Sequence, residues 1–211
     1  MSQVRHPIFA RFFQLASGQM EQELGRHRDA LLAGLAGRVV EIGAGNGASF
    51  GHYPATVTEL VAFEPEPYLR HKAAEAARRA PVPVRVDEAV AGALPPEKGA
   101  FDAAVASLVL CTVADPDQAL AELRRVLKPG GELRFLEHVR SDRPRKARVQ
   151  ERLDRSGVWP RLAGGCHCAR DTATAIQLAG FELAGVRKLE IGPAWMHTNP
   201  HVLGVARSSM I

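Results

Sequence analysis

Between Gly37 and Leu136 short apolar runs alternate with segments of helical periodicity, and no other feature narrows the possible folds as far. Gly37 to Ile42, Thr58 to Phe63, Val82 to Val86, Phe101 to Ser107 and Glu132 to Leu136 read as five strands. Helical patterns fall between them, around Ala48 to Tyr53, over Glu66 to Arg79 and over Pro116 to Leu127. Strands that return through helices run in the same direction, so the alternation predicts a parallel sheet covered on both faces. Punctuation agrees with this reading. Asp115 can cap a helix whose first residue, Pro116, has no amide to leave unpaired, and Lys128-Pro129-Gly130-Gly131 stops that helix. Downstream come a basic helix (Arg143 to Arg155), a loop with Trp159-Pro160 and Cys166-His167-Cys168, a helix (Asp171 to Ala179) and two strands (Phe181 to Ile191, His201 to Arg207).

The first 36 residues stand outside the alternation. Ile8, Phe9, Phe12, Phe13 and Ala16 fall on one helical face, and a second helix is expected over Met20 to Leu35. Residues 1–36 are therefore read as a helical cap and 37–211 as one α/β domain. The apolar face fits both plain packing and a lid over a pocket. A net charge of +4, spread along the chain apart from a cluster at Arg140 to Arg155, argues against a nucleic-acid groove. The start does not read as a secretory signal, and no run reaches the roughly 18–20 apolar residues of a membrane span. Three cysteines form no disulfide framework, which suits reduced thiols and a cytoplasmic setting, with room for peripheral membrane contact.

Chemistry concentrates at Glu41-Ile42-Gly43-Ala44-Gly45-Asn46-Gly47, between the first strand and the segment after it. Glycines there allow a tight turn and close approach of backbone to a ligand. A dinucleotide site wants Gly-x-Gly-x-x-Gly; here the third glycine comes one residue early. Glu41 would repel a pyrophosphate but attract an ammonium group, directly or through water, which favours S-adenosylmethionine (SAM) over NAD. Glu64 follows the second strand, 23 residues after Glu41, where a carboxylate can accept hydrogen bonds from both hydroxyls of a ribose; Pro65 adjoins it.

Val39-Val40-Glu41-Ile42-Gly43-Ala44-Gly45-Asn46-Gly47, Phe63-Glu64-Pro65, Phe101-Asp102-Ala103-Ala104-Val105 and Leu127-Lys128-Pro129-Gly130-Gly131 together resemble the class I SAM-dependent methyltransferases. The resemblance implies a Rossmann-like sheet of seven strands with an antiparallel last strand, SAM as cofactor and S-adenosylhomocysteine as product. It also implies cofactor contacts at Glu41, Gly43, Ala44, Gly45, Asn46, Gly47, Glu64, Pro65, Ser107 and Leu108. Ser107-Leu108-Val109-Leu110-Cys111-Thr112-Val113, Phe135-Leu136-Glu137-His138-Val139, Gly165-Cys166 with Arg170-Asp171-Thr172, and His201-Val202-Leu203-Gly204 are similar to the methyltransferase-like thiol methyltransferases and their bacterial relatives. Those relatives extend to quinone-precursor and phospholipid head-group acceptors. The chain departs from the class pattern after the third strand. Val90 stands where an acidic residue usually holds the adenine amino group, which leaves adenine to the backbone near Val90 and Ala91, or to Asp87 or Glu88.

Ligands of open α/β sheets bind beyond the carboxyl ends of the strands, which gathers the glycine turn, Glu64, Ser107 to Leu110 and His138 around one crevice. His138 is the catalytic candidate, as an acceptor or orienter of a proton; a structural histidine bonding a backbone carbonyl is the alternative. An acceptor thiol needs little assistance, since a thiol of pKa near ~8.5 is partly ionised around neutrality. Phe9, Phe12, Phe13, Leu110, His138 and Trp195 are candidate acceptor contacts. Cys166-His167-Cys168 is not read as a metal site, because three adjacent residues cannot readily surround one tetrahedral ion. Ser107-Leu108-Val109-Leu110 lacks the Asp/Asn-Pro-Pro-aromatic pattern of base-methylating enzymes and favours a small lipophilic acceptor. The expected function is methyl transfer from SAM to such an acceptor, a thiol foremost. Alternatives are O- or C-methylation of a quinone or phenol, N-methylation of a phospholipid head group, a non-catalytic SAM-binding protein and an NAD oxidoreductase.

Overall fold

A computed structural model describes residues 23–209 of the chain. Phe9, Phe12 and Phe13, and most of the expected cap, lie outside the described residues. The described chain opens on helix α1 (23–32) and continues as β1 (Gly37–Ile42), a 3-10 turn (Phe50–His52), β2 (Val57–Phe63), α2 (Pro67–Ala77) and β3 (Val84–Asp87). Next come β4 (Phe101–Ser107), α3 (Pro116–Val126), β5 (Leu127–His138), α4 (Pro144–Ser156) and α5 (Val158–Leu162). The last elements are α6 (Thr172–Leu178), β6 (Phe181–Glu190) and β7 (Pro200–Ser208).

The seven strands form one sheet in the order β3-β2-β1-β4-β5-β7-β6. Pairings from β3 through β5 are parallel, and β7 enters antiparallel between β5 and β6. The order reverses between β1 and β4, where an open parallel sheet parts its loops and makes a ligand crevice. Alternation of side chains along the strands explains the two cores. Val40 and Ile42 of β1 join Ala104 and Ala106 of β4 on one face, covered by Leu120, Leu123 and Val126 of α3 and Ile176 of α6. Val39 joins Ala103 and Val105 on the other face, covered by Leu24, Leu31 and Leu32 of α1, Ala73 of α2, and Phe50 and Tyr53.

The expected start of α3 holds in detail: Asp115 accepts a hydrogen bond from the Gln118 amide at 2.9 Å and Pro116 opens the helix. The structure adds a cap at α2, where Glu66 accepts from the Leu69 amide at 2.8 Å. Others are corrected. The helix expected after the glycine turn is a single 3-10 turn, since Ser49 is drawn back to Glu41. The Pro129-Gly130-Gly131 stop is absorbed into β5: Leu127 already pairs with Phe101, and a register shift precedes Glu132. Trp159-Pro160 lies in the short helix α5 rather than a loop.

Candidate active site

Glycine geometry at the C-terminal end of β1 is dictated by crowding. Gly43 has φ +61°, and a Cβ there would meet the Val109 side chain at 2.3 Å. Gly47, at φ +78°, would meet Phe50 at 2.8 Å and Ala76 at 2.9 Å. Gly45 is also left-handed, at φ +57°. Only glycine takes these conformations without a steric penalty. The turn after β1 thereby closes directly on the turn after β4, the two walls of the switch point.

Glu64, at the end of β2, is tied to the same turn. Its carboxylate accepts from the Gly45 amide at 2.8 Å and from the Glu66 amide at 2.9 Å. Burial raises its pKa to about 7, opposed by those two amides. Glu41 lies on the underside. Ser49 Oγ stands 2.6 and 2.8 Å from its two oxygens, and the Tyr53 hydroxyl donates at 2.9 Å. Burial raises Glu41 to about 6, with the hydroxyls and Arg28 pulling it down. Glu41 therefore meets hydroxyl donors before any ligand, and its influence on the turn runs through Ser49. Neither Ser49 nor Tyr53 stood out in the sequence; their signal was the polar pair eight and twelve residues after a buried acid.

After β4 the backbone does something unusual. Leu108 has φ +57°, the one positive φ outside glycine among the described residues. A side chain costs on the order of 1–3 kcal/mol there, so surrounding bonds must hold it. They do: the Leu108 amide donates to Leu136 O at 2.7 Å. The next three amides, of Val109, Leu110 and Cys111, converge on the carboxylate of Glu137 at 3.0, 2.8 and 3.1 Å. Glu137 is fully buried, and burial raises its pKa against those three donors. Sequence reasoning placed it in a motif of the family resemblance but assigned it no role.

Leu110 is buried in the core at 1% exposure, with its amide turned to Glu137. Ser107 and Leu108 are partly exposed at the end of β4, and Val90 and Ala91 form a small turn beside β3 with Val90 open to solvent. Trp195 is 83% exposed on a basic groove of about 740 Å³ with Arg143, Arg145, Lys146 and Arg148, outside the glycine-turn crevice.

His138 ends β5, with its ring 4.5 Å from that of His201 on β7. Burial and the neighbouring His138 push His201 down to about 3, so its Nδ1–H donates to Asn199 O at 2.8 Å as a neutral ring. Nδ1 of His138 meets two thiols, Cys111 Sγ at 3.5 Å and Cys166 Sγ at 3.6 Å. A hydrogen bond from the Cys111 thiol lowers the pKa of Cys166, with help from His138 and Trp159, while the same contact and burial push Cys111 up. Cys168 faces Asp154 instead, and burial and that carboxylate raise its pKa.

Residues 40–135 match the family described as a methyltransferase domain. Mouse thiol S-methyltransferase TMT1B is 32% identical over 188 residues, spanning 83% of this chain and 73% of that one. The chain belongs to the class I SAM-dependent methyltransferases. The rat TMT1B match is 38% over 109 residues and covers 43% of that protein's length. Phosphatidylethanolamine N-methyltransferase of Cereibacter sphaeroides is 27% identical over 146 residues, 68% of this chain and 71% of that one. The solved [4+2]-cyclase SpnF overlays with a TM-score of 0.73 at 19% identity, across 96% of this chain and 95% of that one, which speaks for the fold alone. The methyltransferase cofactor, SAM, fits what the chain provides. A backbone bared by three left-handed glycines adjoins two buried carboxylates, and a carboxylate with lone pairs to spare suits a ribose diol. Among the described residues no helix is long and apolar enough to cross a membrane.

Proposed function

We propose that this enzyme methylates the sulfur of a small lipophilic thiol. The observation that carries the reading is the likeness to thiol S-methyltransferases over 83% of the chain, which takes in both cysteine turns and the end of β5. SAM supplies an electrophilic methyl group on a sulfonium. On this reading the turn Gly43, Ala44, Gly45, Asn46 and Gly47 takes its amino-acid end, with Glu41 setting the field behind Ser49. Glu64, beside Pro65, takes the ribose hydroxyls. Val90 and Ala91 take the adenine, and the backbone of Ser107 and Leu108 closes the wall. The protein aligns sulfur with the methyl carbon and excludes water, which suffices for a nucleophile that ionises readily. His138 sits at the acceptor end as a positioning residue, since its Nδ1 is already engaged by two thiols.

A methyl-transfer screen tests the reading: isotopically labelled SAM with alkyl thiols, phenols, quinols and phosphatidylethanolamine, products resolved by mass spectrometry. Label in a thioether is expected. Label confined to oxygen or carbon, or to the lipid amine, would replace the thiol with that acceptor.

A further inference from the structure

Three metal-ligating side chains from distant parts of the chain converge beyond the ends of β4 and β5. Cys111 Sγ, His138 Nδ1 and Cys166 Sγ all lie within 4.8 Å of one another. The two sulfur-to-nitrogen separations are those of a coordination shell. Zinc bonds of about 2.3 Å to sulfur and about 2.0–2.1 Å to nitrogen, at the tetrahedral angle, separate sulfur from nitrogen by about 3.5 Å. The observed separations are 3.5 and 3.6 Å. Sequence alone hides this set, because the neighbours of Cys166 are not its partners.

The donors are held by a rigid surround. The Cys111 amide is bound to Glu137, and its carbonyl accepts from the His167 amide at 2.7 Å. Gly165, at φ +94°, lies so near Thr112 O that a Cβ would approach it to 2.7 Å, which docks the Cys166 loop on the Cys111 turn. Arg170 donates to Leu110 O at 2.5 Å, and Asp154 accepts from the Cys168 and Ala169 amides at 3.1 and 2.8 Å. Thus the loop is pinned on both sides of Cys166. Cys111 and Cys166 are buried, at 0% and 4% exposure. A divalent ion with two thiolates is neutral overall, which lessens the cost of ionising thiols away from water.

We propose that Cys111, His138 and Cys166 bind one zinc ion, and that the acceptor's thiolate takes its fourth position. The three-ligand half stands on geometry; the fourth-ligand half rests on the thiol-methylation reading. Binding the ion releases one proton from each cysteine to solvent, and binding the acceptor releases one from its thiol. Three protein ligands and one open position is the pattern of zinc sites that handle substrates. His138 is the one ligand of the three that is partly exposed, at a strand's C-terminal end, which puts the open position on its side.

The test uses the full chain, reduced with a phosphine and dialysed against zinc and then against metal-free buffer. Elemental analysis should find one zinc per chain. Cys111→Ser and Cys166→Ser, checked for folding by circular dichroism, should each weaken retention at least tenfold. Cobalt in place of zinc should show thiolate-to-metal charge transfer with the intense visible bands of a tetrahedral site, and added ethanethiol should strengthen the charge transfer. Wild-type protein holding no more metal than the variants, or a Cys111–Cys166 disulfide as the stable state, would overturn the site. A cobalt spectrum indifferent to thiol, or undiminished thiol turnover after metal removal, would overturn the fourth-ligand half and leave thiol methylation standing. Metal bound with no thiol turnover in either form would keep the three-ligand site and remove the acceptor reading.

Discussion

At the scale of single residues, the crevice is governed by what glycine permits and by which carboxylates are buried. Gly43→Ala combines a left-handed backbone with a 2.3 Å collision against Val109. It should lower stability by about 1–3 kcal/mol in denaturant titration and weaken S-adenosylhomocysteine binding more than tenfold. Glu137→Gln exchanges a carboxylate that accepts three amides for a group that turns an N–H toward at least one of them. A loss of about 3 kcal/mol is expected, with thermal unfolding as the check. Glu41 and Glu64 carry a pH signature. Their folded pKa values, about 6 and about 7, exceed those of an unfolded carboxyl near 4.5. Their contribution to stability is thus complete below about pH 4.5 and is lost as pH rises through 6 to 7. The ligand-free protein should melt higher at pH 5.5 than at pH 7.5, and Glu41→Gln should shrink the difference; an unchanged difference would remove Glu41 as its source. The glycines, Glu41 and Glu64 were legible because each occupies a fixed offset from a strand end. Glu137, Ser49, Tyr53 and the thiol–imidazole trio were not, since their roles depend on contacts between residues 8 to 55 apart that no local pattern encodes.

At the scale of elements, capping and periodicity transferred well and turns did not. α3 buries Ala119, Leu120, Leu123 and Val126 completely, one apolar stripe at helical spacing. Asp115→Ala removes only the cap and should cost about 1 kcal/mol with no change in cofactor affinity. Leu123→Ala opens the core and should cost about 2–5 kcal/mol by the same denaturant measurement. Periodicity could not reveal that the segment after the glycine turn folds into one 3-10 turn, because that outcome follows from Ser49 bonding Glu41. Nor could it show that Leu110 turns inward, which follows from a left-handed Leu108 and three amides drawn to Glu137.

At the scale of the whole molecule, strand order does most to place the chemistry. Reversal between β1 and β4 parts the chain so that the glycine turn and the Leu108 turn face each other, with β2 carrying Glu64 to one side and β5 carrying His138 to the other. Strand–helix alternation made the sheet readable in advance, and the last strand runs antiparallel as the class resemblance implied; its place between β5 and β6 comes from the structure. The basic groove bearing Trp195 is lined by Arg143, Arg145, Lys146 and Arg148 and includes no residue of the glycine turn. The central claim is that the crevice is a berth for SAM built on the glycine turn and Glu64. Calorimetric titration of the folded chain with S-adenosylhomocysteine, beside Glu64→Ala and beside NADH, tests it most directly. One saturable site for S-adenosylhomocysteine, weakened at least tenfold by Glu64→Ala and silent toward NADH, is the expected result. No association with S-adenosylhomocysteine, or an affinity indifferent to Glu64, would contradict it.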